Sequence, residues 1–106
     1  MYPKTIKLLG IPFEIKELSY EDLNLFGGEG KKLICDHYDI KERIIYLNRD
    51  LSTELKNYGL FHAIEEVLLS LLGQYYNHEG FQGFSFVVFA TLCENNLGYL
   101  FFGQEE

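Results

Sequence analysis

Cations are scarce in this chain of 106 residues: nine Lys and Arg stand against sixteen Asp and Glu, a formal net charge of −7. Binding to a phosphate backbone needs clustered Lys and Arg, so the balance excludes nucleic acid as a partner class. The acids are scattered along the chain, and such a surface suits either plain solvation or a basic protein partner. Cysteine is nearly absent. Cys35 and Cys93 are far apart and form no C-x-x-C pair, which reads as two reduced thiols in an intracellular protein. Long apolar runs are missing as well: Phe84 to Cys93 is strongly apolar, but its ten residues are about half a membrane span. Met1-Tyr2-Pro3-Lys4 leads into a short alternating segment, not the apolar core of a signal peptide. The expectation is a cytoplasmic, soluble protein with no membrane partner. No Gly-rich loop precedes a Lys-Ser/Thr pair, the glycines at 27, 28 and 30 lack a strand-to-helix setting, and no nucleophile elbow surrounds Ser70 or Ser85. With no internal repeat and no linker, residues 1–106 read as a single domain.

What is present suffices for a core. Apolar residues make up 47% of the chain and charged residues 24%, ordinary values for a folded protein, and nine Phe and eight Tyr supply large buried surfaces. The first half reads as strands. Thr5 to Leu9 and Pro12 to Leu18 flank Gly10 with near-alternating apolar residues, and Pro12 marks a strand start or an edge. Ser19 followed by Tyr20-Glu21-Asp22 looks like a capped short helix through Phe26, which the glycines at 27, 28 and 30 end. Lys32 to Tyr38 and Arg43 to Asn48 form a second hairpin, turning at Asp39 to Glu42.

The second half reads as two helices. One starts near Asp50 or Ser52 and runs to about Leu72, closed by Gly73. Leu60, Ile64, Val67, Leu68 and Leu71 share one face of it, while Leu55, Tyr58, His62, Glu66 and Leu69 share a nearly opposite one. Two such faces suggest a helix packed between layers, with His62 and Glu66 largely buried. The other helix runs from about Phe81 to Asn96, with Phe81, Phe84, Val88 and Leu92 as its inner stripe. Phe86, Val87, Phe89 and Ala90 cover much of the rest, more apolar surface than one small sheet needs. Either the chain encloses this helix, or Phe86 and Phe89 belong to a partner surface. The aromatic segment Leu97 to Phe102 is placed to dock on the same region. The fold class is therefore α+β: a small, mainly antiparallel sheet of two hairpins packed against two C-terminal helices.

His62 and Glu66 are the candidates for chemistry. In the H-E-x-x-H helix, two ligands four residues apart lie on one face and the glutamate beside the first activates a metal-bound water. Here a histidine and a carboxylate keep that spacing, and both residue types ligate zinc. The next residue, however, is Ala63, which accepts no proton. Glu65 points about 100° away from Glu66 around the helix. Two readings stand side by side: two ligands of a divalent metal, or a buried i,i+4 hydrogen-bonded pair that orients two helices. His78 and Glu79 read either as further ligands or as a solvated helix start, where a carboxylate suits the dipole. His37, beside Asp36 and near Asp39, reads as part of a solvated loop.

The order of elements resembles small phage-borne zincin-like proteins related to the ImmA/IrrE metallopeptidases. Ile6-Lys7-Leu8-Leu9-Gly10-Ile11-Pro12-Phe13-Glu14-Ile15 is similar to their opening hairpin. Arg43-Ile44-Ile45-Tyr46-Leu47 with Asp50-Leu51 is similar to the strand leading into the motif helix. Gly59-Leu60-Phe61-His62 resembles the approach to the first ligand. His78-Glu79-Gly80-Phe81 and Leu92-Cys93-Glu94-Asn95-Asn96 resemble the start and end of the last helix. The resemblance implies a zincin-like fold and zinc as the cofactor, with His62 as first ligand, Glu66 as second, and Glu79 or His78 as third. Ala63 stands where the catalytic glutamate belongs. The resemblance therefore implies a catalytically degenerate, protein-binding or inhibitory factor, with a host or defence protein as the partner. Two alternatives remain: a zinc-dependent hydrolase in which Glu65 swings in as base, or an assembly protein forming a homodimer through Phe81 to Phe89.

Overall fold

The computed structural model describes residues 2–26, 35–73 and 78–102, without the side chains of residues 78–83, 85, 86, 101 and 102. The described residues form, in order, β1 (Thr5–Leu8), β2 (Ile11–Leu18), α1 (Tyr20–Asn24), β3 (Asp36–Asp39), β4 (Ile44–Asn48), α2 (Thr53–Leu72), α3 (His78–Glu94) and α4 (Tyr99–Phe102). The α+β class expected from the sequence is what the chain adopts. One pairing was not anticipated: the strands lie in the order β1-β2-β4-β3, and β4 runs parallel to β2 while both hairpins are antiparallel. Lys32 to Ile34 of the expected third strand lie outside the described residues.

Local chemistry sets the boundaries. Leu9 and Gly10 both have positive φ, 54° and 81°, the geometry of the tight two-residue turn that matches strand twist. Ser19 and Ser52 sit in extended conformation and accept the N–H of Asp22 and Leu55, capping α1 and α2. At the far end of α2, Gly73 adopts φ 62° and returns its N–H to Leu69 O. Asn96 takes the corresponding left-handed position after α3 at φ 59°, and Leu97 N–H bonds Leu92 O while its side chain enters the core.

Alternation then sorts the sheet's two faces. Ile6, Leu8, Phe13, Ile45 and Leu47 point to one side and pack on Leu60, Ala63, Ile64, Val67 and Leu68 of α2 and on Phe84, Val88 and Leu92 of α3. On the other side Phe26, just past α1, stacks on His37 and Tyr46, and Leu23 is buried apart from the main cluster. The edge of β1 is closed by a side chain. Asn95 accepts Lys7 N–H and donates to Lys7 O, both at 2.8 Å, so it satisfies the backbone groups a further strand would have taken. Among the described residues no helix is long and apolar enough to cross a membrane.

Tyr2 anchors the N-terminal segment to α2 by donating its hydroxyl to Asn57 Oδ1 at 2.6 Å. Burial, reinforced by the charges of Tyr99 and Glu17, pushes its phenol up to about 12. In the unfolded chain a phenol ionises near 10, so stability should fall as pH rises from about 10 to about 12. Alkaline unfolding curves of Tyr2→Phe should lose that part of the pH dependence while starting from a lower stability at neutral pH.

Candidate functional site

A close approach between α2 and β3 builds the site. A Cβ on Gly59 would meet Cys35 O at 3.1 Å and Cys35 Cβ at 3.2 Å, so a larger residue would push the helix off the strand. One turn further along α2 comes His62. On β3, Asp36 and Tyr38 face α2 because they pair with Leu47 and Ile45, the two core-facing residues of β4. Asp36 is thereby aimed at His62: both its carboxylate oxygens lie 3.3 Å from His62 Nδ1. His62 Nε2 in turn lies 3.0 Å from Glu66 Oε1. The Tyr58 ring stacks beside the imidazole at 6.0 Å between centroids and 14° between planes.

The three groups differ in exposure. The Asp36 side chain is 8% exposed, whereas His62 and Glu66 keep 41% and 42%. The sequence suggested a sandwiched α2 with this pair largely buried. The helix instead turns this stripe outward: Leu55 and Tyr58 are 49% and 57% exposed. Burial raises the Asp36 carboxyl above its usual range, with the His62 ring opposing the shift. Glu65 is raised in the same way by burial, again opposed by His62.

Proton counting limits what the arrangement can do. A neutral imidazole has one N–H, so it donates to Asp36 or to Glu66 but not to both. If the proton sits on Nδ1 facing Asp36, the Nε2 lone pair faces a carboxylate oxygen. That edge then needs a proton or a cation between Nε2 and Oε1. If a divalent ion were bound here, His62 and Glu66 would be the residues to hold it, and Asp36 would orient the imidazole from behind. Among the described residues no group of three or more His, Cys, Asp or Glu side chains is arranged to hold a metal. His78 and Glu79 open α3, but their side chains lie outside the described residues, as does that of Phe86.

Ala63 faces the other way. It is fully buried in the main core with Leu60 and Ile64, so no proton acceptor stands beside His62 at that position. His37 lies in β3, not in a loop, and its ring stacks 4.7 Å from Phe26 on the sheet face opposite His62. Phe89 is 50% exposed on α3. The residues that sequence reasoning missed are Asp36 and the stacked, exposed Tyr58. Alternation within the second hairpin was a signal for Asp36, but only once the face that carries α2 is known.

The pairing makes a test of its own. Removing His62 leaves a buried carboxylate without its ring partner, so His62→Ala should cost about 1–3 kcal/mol in urea unfolding. Glu66→Gln, at a half-exposed position, should cost much less, and adding Asp36→Asn to His62→Ala should recover part of the loss.

No family model, curated protein or solved structure matches this chain.

Proposed function

We propose that this protein is a catalytically degenerate zincin-fold factor that acts by binding another protein, with inhibition of a host or defence factor as the consequence. The observation that carries this reading is Ala63. The chain keeps a histidine and a carboxylate one helical turn apart, yet places a fully buried methyl where hydrolysis calls for a proton acceptor. The exposed Leu55 and Tyr58 beside that pair, and Phe89 on α3, are apolar surface of the kind protein partners cover.

The test pairs turnover with binding. Purified wild-type protein, supplied with zinc, should leave a peptide library uncut. Affinity capture from host extract should yield a partner whose purified form binds with a saturable Kd. Zinc-dependent cleavage that disappears in His62→Ala would overturn the reading in favour of the hydrolase. That second reading draws on Asp36, which holds His62 from behind as carboxylates hold metal-ligating histidines, and it requires Glu65 to reach the ion.

A further inference from the structure

The outward stripe of α2 points to the chemistry of the partner. Leu55, Tyr58, His62 and Glu66 succeed one another at helical spacing over about 16 Å of the helix surface. Leu55 and Tyr58 are exposed and His62 and Glu66 half-exposed, whereas the opposite face of the same helix is the centre of the core. The two apolar anchors are set among Glu54, Glu65 and Glu66. Among the described residues no Lys or Arg pairs with these acids, and Glu66 meets only the His62 ring. All nine Lys and Arg lie at or before Lys56, and Asn57 to Glu106 contains six glutamates and no Lys or Arg. Lys56, the nearest along the sequence to Tyr58, is turned to the sheet, where it bonds Glu17 Oε1 at 3.1 Å with only 13% of its side chain exposed.

We infer that this stripe is the docking surface for a cationic amphipathic segment of a protein, with apolar side chains on Leu55 and Tyr58 and Arg or Lys at Glu65 and Glu66. The inference rests on the protein-binding role proposed above and names the partner for it. Apolar contact alone would admit any greasy segment; carboxylates that meet no Lys or Arg among the described residues select a basic one and repel acidic competitors. Tyr58 adds a second preference, since a guanidinium stacks on an aromatic face as well as pairing with carboxylates. Nucleic acids and anionic lipid surfaces carry the wrong sign for the same patch. The segment's anchors take the i, i+3, i+4, i+7 pattern of a helix laid on a surface.

The probe is a synthetic peptide of about 18 residues, long enough to hold helix, with Leu and Phe in that pattern and Lys and Arg elsewhere. A control keeps the apolar positions and carries Glu in place of every cation. In NMR titration of the full chain, the basic peptide should bind saturably and shift amides between Glu54 and Glu66, while the acidic control should not bind. Tyr58→Ser and Glu66→Lys should each weaken binding about tenfold, and added salt should weaken the wild-type complex. Tyr58 is exposed and Glu66 half-exposed, and unchanged thermal unfolding of the variants confirms that the surface, not the fold, was altered. Equal binding of the two peptides, no saturable binding, or shifts confined to α3 around Phe89 would each overturn the inference. The broader role fails differently: a native partner bound equally well by Tyr58→Ser and Glu66→Lys keeps the binding function and removes this surface, whereas absence of any partner removes the function itself.

Discussion

Ala63→Glu should destabilise the fold by about 3–5 kcal/mol and bring no peptidase activity. The substitution rewrites the motif as H-E-x-x-E, and on the sequence alone it looks like a repair. Its site says otherwise. Ala63 has no exposed surface and packs within the cluster formed by Leu60, Ile64 and the sheet. A glutamate there adds a methylene and a carboxylate to a filled space and sets the charge among apolar side chains. Overpacking and desolvation then act in the same direction. Urea unfolding monitored by circular dichroism measures the loss, and a zinc-supplemented peptide assay reads the chemistry. A variant as stable as wild type that also hydrolyses peptides would show that position 63 borders a cleft, and the binding-only reading would give way to a repaired enzyme.

Phe13→Ala should cost a similar amount, about 3–5 kcal/mol, enough to unfold much of a domain of ordinary stability. Phe13 is 1% exposed and pairs with Ile6 across the first hairpin, so its ring belongs to the layer between sheet and helices. Its neighbour Glu14 lies on the opposite face and is exposed, held only in a loose 3.8 Å pair with Lys16. Glu14→Ala should therefore change stability by no more than about 0.5 kcal/mol. Side chains on a strand alternate between faces, so the contrast between adjacent positions reads the register directly. Equal effects at 13 and 14 would mean that the strand is slipped or that the face assignment is inverted.

Much of this protein was legible one segment at a time. Ser52 and Gly73 bound α2 by interactions with residues within four positions, so the helix could be read with its caps. His62 and Glu66 meet because the helical repeat brings residues four apart together, wherever the helix sits. The two antiparallel hairpins arise from short connections. Nothing local, however, announces that β4 inserts beside β2 in parallel: that pair is joined through α1 and β3, and the choice is made by how the hairpins share one apolar face.

The candidate site divides along the same line. Asp36 stands twenty-six positions before His62, and neither residue's neighbours reveal the contact. It exists because the hairpin register turns Asp36 toward α2 and because Gly59 lets the helix come close to Cys35. Likewise, both faces of α2 carry apolar residues, and a helical wheel cannot say which one is covered. The sheet takes Leu60, Ile64 and Val67; Leu55 and Tyr58 are left outside. The amino-acid sequence by itself determined α1, α2, α3, the hairpins, the charge and the histidine–carboxylate spacing, since each depends on interactions over a few residues, whereas α4 was read only as an aromatic segment. Tertiary structure alone decided the strand order, the partner of His62, the burial of Ala63 and the exposed stripe, since each depends on which surfaces meet when distant segments pack.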